Sequence, residues 1–329
     1  MLTSNADTKS PEILGNAPKA KDRRKPKTEA TPQPLDWLLL LLIVIIGGSS
    51  FAMIRVAVAD FSPMTIMAGR LWVAAIVLYA LMKVKGRKFP PVVVGTASGP
   101  RLHKTWVSMA LVGLIGNTIP FFLFPWAQRT IDSGLAGVYM AFMPIWTLAL
   151  AYLFAGEALT RNKVIGFVLG LAGVLILMGP EAIAGAATNS VLAQVAILVA
   201  TLCYAVTAIL ARRAPPVRPR TYAAGAVLCA ALFSAPAYIL SEGVTLPTLS
   251  LPAIAAVVGL GVGPSGIGTL FIVIIIRRVG ASFMALANYL TPVYAVGLGA
   301  LAFAERLDQG VFIALAVILA GVFVSQRKT

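Results

Sequence analysis

Charge, histidine and cysteine are all scarce in this sequence. Of its 329 residues 12% are charged, against roughly 25% in soluble domains. There are 12 acidic residues, one histidine and two cysteines. His103 stands alone in a connecting loop, with no acidic pair or Cys/His arrangement beside it. Cys203 and Cys229 lie in apolar runs at no metal-ligand or redox spacing and read as packing residues. No metal or cofactor is therefore expected. The acid, base or nucleophilic groups that an enzyme acting on a lipid-linked substrate would gather are missing, so the chain is not read as an enzyme. No nucleotide-binding motif occurs, which argues against direct use of ATP.

What the sequence has in abundance is apolar residues, 59% of the total, in long unbroken runs. A run of about 20 such residues crosses the ~30 Å hydrocarbon core as a helix. These runs are too long for barrel strands, so the chain is an all-α integral membrane protein. Its net charge of +15 suggests nucleic acid until the charges are placed. They fill an N-terminal tail and alternate loops, as membrane orientation requires, where they are also positioned to meet anionic lipid. No nucleic-acid partner is expected.

Residues 1–34, rich in Lys, Pro, Thr and Ala, read as a disordered basic cytoplasmic tail. Arg23 and Arg24 resemble a twin-arginine signal, but a full-length span follows instead of a short apolar segment with a cleavage site. Ten spans are expected, at 37–59, 63–82, 105–126, 131–155, 163–180, 190–211, 221–240, 251–275, 280–303 and 310–326. With both termini cytoplasmic, 23 of the 27 Lys and Arg lie on the cytoplasmic side; the exceptions are Arg55, Arg70, Arg129 and Arg306.

The chain also repeats itself. Residues 129–174 laid over 277–322 give eleven identities in 46 positions, among them Arg129/Arg277, Pro144/Pro292, Glu157/Glu305 and Gly173/Gly321. Two repeats are inferred, 35–180 and 190–326. Because each holds five helices, the second enters the membrane from the opposite side, giving the inverted repeats of many secondary transporters.

Gly/Pro-interrupted spans at corresponding places point to a transporter's binding site. The third span carries Gly113, Gly116, Asn117 and Pro120; the same spacing of 148 brings Gly261, Gly263, Pro264 and Ser265 of the eighth span into register. The alternative is that the glycines only let neighbouring helices approach closely. Arg70 lies about 12 Å into the second span at 1.5 Å per residue. Its charge either faces a cavity, where a substrate carboxylate is a natural partner, or bonds backbone carbonyls or reaches toward Asp60. Candidate substrate-binding residues are thus Arg70, Asn117 and Ser265, together with Tyr139, Trp146, Asn288, Tyr289 and Tyr294 flanking the paired prolines. Each of those aromatics, taken singly, reads more readily as plain helix packing. Pro144 and Pro292 should kink both copies alike. Glu157 and Glu305 should be structural, fixing helix ends or pairing with Arg161 and Arg306. Small residues in the fifth and tenth spans (Gly166, Gly170, Gly173; Ala314, Ala320, Gly321) make those spans candidates for support or homodimer contacts.

Taken together, Gly47-Gly48-Ser49-Ser50-Phe51 with Arg55, Pro63 with Arg70, the Pro144…Glu157-Ala-Leu159…Gly166…Gly173 run and its copy Pro292…Glu305-Arg-Leu307…Gly321 resemble the EamA family of the drug/metabolite transporter superfamily. The resemblance covers about 35–326. It implies ten helices in two inverted five-helix repeats, a central cavity from spans 1–4 and 6–9, and peripheral spans 5 and 10. It further implies secondary transport of a small polar metabolite such as an amino acid, outward across a bacterial inner membrane, with a vitamin or drug, or import, as the alternative.

Overall fold

The structure is a computed structural model and describes residues 32–96, 99–155, 160–183, 189–243, 250–279, 281–284, 286–305 and 307–326. The expected disordered tail falls almost wholly outside these residues, as does Glu157. The first half comprises α1 (Pro34–Ala57), α2 (Pro63–Val84), a short antiparallel hairpin of β1 (Val93–Thr96) and β2 (Gly99–Leu102), α3 (Lys104–Gly113), α4 (Ile119–Ala127), α5 (Ser133–Met140), α6 (Met143–Ala155) and α7 (Arg161–Ile183). The second comprises α8 (Asn189–Arg212), α9 (Pro219–Glu242), α10 (Leu251–Leu260), α11 (Thr269–Arg278), α12 (Ala281–Met284), α13 (Ala287–Phe303) and α14 (Gln309–Gln326). Wider π-helical turns at Leu114–Thr118 and Gly261–Gly268 join α3 to α4 and α10 to α11.

Among the described residues, eight helical stretches are long and apolar enough to cross a membrane. Ala287–Phe303 and Gln309–Ser325, where the ninth and tenth spans are expected, are apolar but shorter. The helix starts follow local chemistry. Proline opens α1, α2, α9 and α10, where its missing N–H costs nothing, and Ser62 caps α2 by accepting from Thr65 N–H at 3.1 Å.

Two faces can be told apart by contacts at helix ends. On the proximal face, where α1 begins, Arg278 at the end of α11 pairs with Asp36 at 2.5 Å, and Arg213 donates to the Phe154 carbonyl at 2.6 Å. On the distal face, Asp60 accepts from the Ser250 hydroxyl, and Glu305 reaches the start of α5. Asp60 is thus engaged with Ser250, and Arg70 bonds elsewhere.

Elements of the two halves pack on one another: α2 on α9, α5 on α13, and α7 on α14. In the α7–α14 pair, Gly166 and Gly173 face Gly321, Ala314 and Ser325 so closely that a Cβ at either glycine would collide. The small residues of the expected support spans are therefore used on each other within the chain.

The paired prolines act differently in the two halves, against the expectation of equal kinks. The first copy breaks at Ala141–Phe142, directly before Pro144, through tight turns in which Ala141 N–H bonds Val138 O and Phe142 N–H bonds Tyr139 O. Proline clashes with the carbonyl four residues back, here Met140. In the second copy the discontinuity comes earlier, between α12 and α13, and Pro292 is buried inside α13.

Candidate functional site

Arg70 is carried seven residues into α2 and is only 7% exposed. Its guanidinium lies over the Phe121 ring, with Cζ 3.6 Å from the centroid, and its Nε donates to Ser265 Oγ at 2.9 Å. A planar, delocalised cation suits this arrangement, because one face stacks on the ring while the fork stays available for hydrogen bonds. Ser265 comes from the other half of the chain, so the pair ties the two copies together at the middle of the protein.

Arg70, Asn117, Ser265 and Asn288 all line one cavity of about 600 Å³. Among the described residues no acidic side chain contributes to its wall, and the remaining polar groups are neutral: Ser50, Tyr204, Thr207, Thr269 and Thr291. The distal ceiling is Phe51, Ile54 and Phe124, each at most 5% exposed. Phe51 meets Phe124 edge-on at 5.7 Å, and Phe124 stacks on Tyr204 at 6.1 Å. At the proximal end the lining residues Ala211, Ile272 and Asn288 are exposed. The cavity therefore opens proximally and is shut distally. Among the described residues, none of α7, α14 or α9 contributes to the wall; α9 backs α2 and α3 instead.

The two interrupted spans meet at this cavity, and neither unwinds. In the first, Ile119 N–H donates to Leu114 O, five residues back. Asn117 Nδ2 donates to Val112 O at 3.3 Å and Thr118 Oγ1 to Gly113 O at 3.2 Å, so side chains serve carbonyls that the wider turn leaves short of partners. Most of the glycines do what the packing alternative required, although Gly263 makes only ordinary contact, a Cβ there lying 3.6 Å from Ile46 Cγ2. A Cβ at Gly113 or Gly116 would strike α9 or Thr207 of α8, and one at Gly261 or Gly266 would strike Val73 or Val77 of α2. The polar residues between them, Asn117 and Ser265, face the cavity, as does Pro264.

The aromatic candidates do not line it. Tyr139 is buried and donates to Gln194 Oε1 at 2.6 Å. Trp146 packs edge-on against Phe142, and neither Trp146 Nε1 nor the Tyr289 hydroxyl has a hydrogen-bond partner among the described residues. Tyr294 lies on Gly48, its hydroxyl 3.2 Å from Ser49 Oγ. Sequence reasoning missed Ser50, Tyr204, Thr207, Thr269 and Thr291. Ser50 sits in the Gly-Gly-Ser-Ser-Phe motif, which was a usable signal; the other four stand in apolar helices with nothing to distinguish them.

Above the ceiling the distal face is held by Glu305. Ala304 adopts a left-handed conformation (φ 51°), an uncommon backbone for a residue with a Cβ, and turns Glu305 back toward α5. There its carboxylate accepts from Ser133 N–H at 2.9 Å, Ser133 Oγ at 2.7 Å and Gly134 N–H at 2.9 Å. A Cβ on Gly299 would strike this carboxylate. Capping a helix start with a negative charge satisfies orphan amides and suits the helix dipole. The neighbouring Asp132 carboxyl is pushed above its ordinary range by burial, with Glu305 adding to the effect and Arg55 opposing it. The structural role expected of Glu305 thus takes the form of a cap across the two halves; Arg306 lies outside the described residues.

A multi-pass helical bundle with a closed end, an open end and a polar midplane cavity belongs to the class of membrane transporters. The EamA-like transporter family model matches residues 36–179 and again 191–326, and the chain belongs to that family. It is 27% identical over 283 residues to the uncharacterised inner membrane transporter YedA of Escherichia coli K12, covering 85% of this chain and 87% of that protein. It is 24% identical to a probable terminal-alkyne amino-acid exporter of Streptantibioticus cattleyicolor, covering 88% and 93%. A crystal structure 23% identical superimposes with a TM-score of 0.61 over 89% of this chain and 97% of the other, a likeness of fold alone.

Proposed function

We propose that this protein is a secondary transporter that carries a small carboxylate-bearing metabolite, such as an amino acid, from the proximal to the distal side of a bacterial inner membrane. In this reading the proximal side is the cytoplasm, ten spans form two inverted repeats, and the halves rock to expose the cavity alternately. Helix α13, short for a span, is completed by α12.

The observation that carries the reading is Arg70, a buried guanidinium on the wall of a cavity with no acidic lining residue among those described. A charge at such depth costs at least ~2.5 kcal/mol unless solvated or paired. With Nε given to Ser265, the outer edge of the guanidinium is the part suited to two parallel bonds with a carboxylate. An ammonium on the same substrate would be met by neutral oxygens, those of Asn117, Asn288 and Ser50. The Streptantibioticus relative, a probable terminal-alkyne amino-acid exporter by name, fits this chemistry.

The test is flux in proteoliposomes with L-propargylglycine, a terminal-alkyne amino acid, compared with its methyl ester. Transport of the acid but not of the ester is expected. Equal flux of the two would overturn the carboxylate role of Arg70.

A further inference from the structure

A second basic site lies away from the cavity, on the proximal face where α2 ends and α9 begins. A pocket of about 460 Å³ is lined there by Arg87, Lys88 and Arg218, with Phe89 and Pro216 as apolar walls and Thr221 at its base. None of the three basic side chains has a hydrogen-bond or ion-pair partner among the described residues, and no acidic residue lines the pocket. The start of the 24-residue helix α9 faces it: Arg218 at the cap position makes no side-chain capping bond, and Pro219 is first in the helix. The amides of Arg220 and Thr221 are therefore left among the orphan donors of a helix start. Thr221 is 4% exposed and lines the pocket, and its hydroxyl makes no hydrogen bond among the described residues. A hydroxyl on a largely buried residue that turns into the pocket, three cations unpaired among the described residues and a positive helix end together describe a receptor for a multiply accepting anion.

The position of the pocket says where that anion comes from. Phe89 stacks on Tyr79 at 6.0 Å and packs against Trp106 at 5.4 Å, while the Trp106 indole N–H donates to Pro90 O at 3.2 Å. Aromatic rings with polar edges beside a span's end mark the membrane–water interface. Val84, the last residue of α2, is 80% exposed, an apolar surface directly below the basic cluster. Headgroup phosphate at the cations and acyl chain against α2 is the arrangement expected of a bound lipid.

We infer that the pocket formed by Arg87, Lys88, Arg218 and Thr221 binds the phosphate of an anionic phospholipid at the seam between the two halves. The site is independent of the cavity and of what the protein transports.

The experiment is native mass spectrometry of the full chain from nanodiscs of phosphatidylcholine with and without phosphatidylglycerol, and again with inorganic phosphate added. Phosphatidylglycerol should be retained in preference to phosphatidylcholine. Retention should fall about fivefold for each of Arg87→Ala, Lys88→Ala and Arg218→Ala, following the contribution of one cation near an anionic surface. Arg101→Ala, on the neighbouring hairpin, should change it little. Thr221→Val should weaken retention without altering net charge, which separates a built site from a diffuse basic surface. If an alanine variant does not fold, Arg87→Lys and Arg218→Lys keep the charge and should retain most of the lipid. Equal retention of both lipids, or no effect of the substitutions, would overturn the inference. Displacement of the lipid by inorganic phosphate, with equal stabilisation by phosphate alone, would reassign the pocket to a soluble phosphate and sink the lipid claim.

Discussion

The two π-helical segments, Leu114–Thr118 and Gly261–Gly268, are the same backbone device at corresponding places, but they spend their polar groups differently. In the first, Asn117 and Thr118 bond carbonyls of their own helix. In the second, Ser265 accepts from Arg70 of the opposite half. The duplication supplies two widened turns facing one cavity, and divergence gives only one of them a cation to hold. That asymmetry suits a site that must orient a substrate with unlike ends: a charged anchor on one side, neutral groups on the other.

The comparison breaks first at Arg70. Arg70→Ala should raise KM roughly 30-fold or more, or abolish flux, since truncating a buried charge partner costs about 2–5 kcal/mol. Insertion and expression should stay near normal, as checked by fluorescence-detected size exclusion. Normal flux with collapsed expression would make Arg70 a folding residue only. Next comes the seal. Glu305→Ala removes an ionised acceptor of three bonds, each worth about 1.5–3 kcal/mol. A cysteine placed at Phe51, in a background lacking Cys203 and Cys229, should then react much faster with a membrane-impermeant thiol reagent from the distal side. Unchanged labelling would show that the seal does not depend on the cap.

A smaller effect separates the two widened turns themselves. Ser265→Ala should raise KM about three- to tenfold, the weight of one hydrogen bond, whereas Asn117→Ala should act more weakly because Asn117 already bonds its own helix. The reverse order would mean that Asn117, not the Arg70 pair, anchors the substrate. Smallest is the pH effect at the seal. With its folded-state pKa raised, the sealed state binds a proton at Asp132 more readily than a solvated carboxyl does. Its contribution is present at lower pH and is lost as pH rises through the raised value. Distal labelling should increase over that window, and Asp132→Asn should flatten the profile.

Much of this was legible in the sequence. Hydropathy placed the helices within a few residues, because a membrane segment must satisfy its own backbone and span a fixed thickness. The repeat spacing put the two widened turns in register before any contact was known. Arg70 stood out as a charge inside a span, Asn117 and Ser265 through the interrupted spans, and Asn288 as a neighbour of Pro292; all four line the cavity. The aromatic candidates went the other way: Tyr139, Trp146, Tyr289 and Tyr294 are as large on a packing face as on a cavity wall, and helical position near a proline does not tell the two apart. Nor did the paired prolines kink alike, since a proline's effect depends on whether the turn before it is held by neighbouring helices.

By itself the sequence determined the class of molecule, its internal repeat, the position of its apolar helices and the presence of a cation, Arg70, deep within one of them. These follow from composition and period, which are local properties of the chain. Only the tertiary structure decided that Arg70 stacks on Phe121 and bonds Ser265, that Glu305 caps a helix of the other half, and that the cavity is open on one side. Those are contacts between residues more than 50 positions apart, or a choice between two nearly equivalent packings. No local pattern specifies them, because each depends on how the two halves settle against one another.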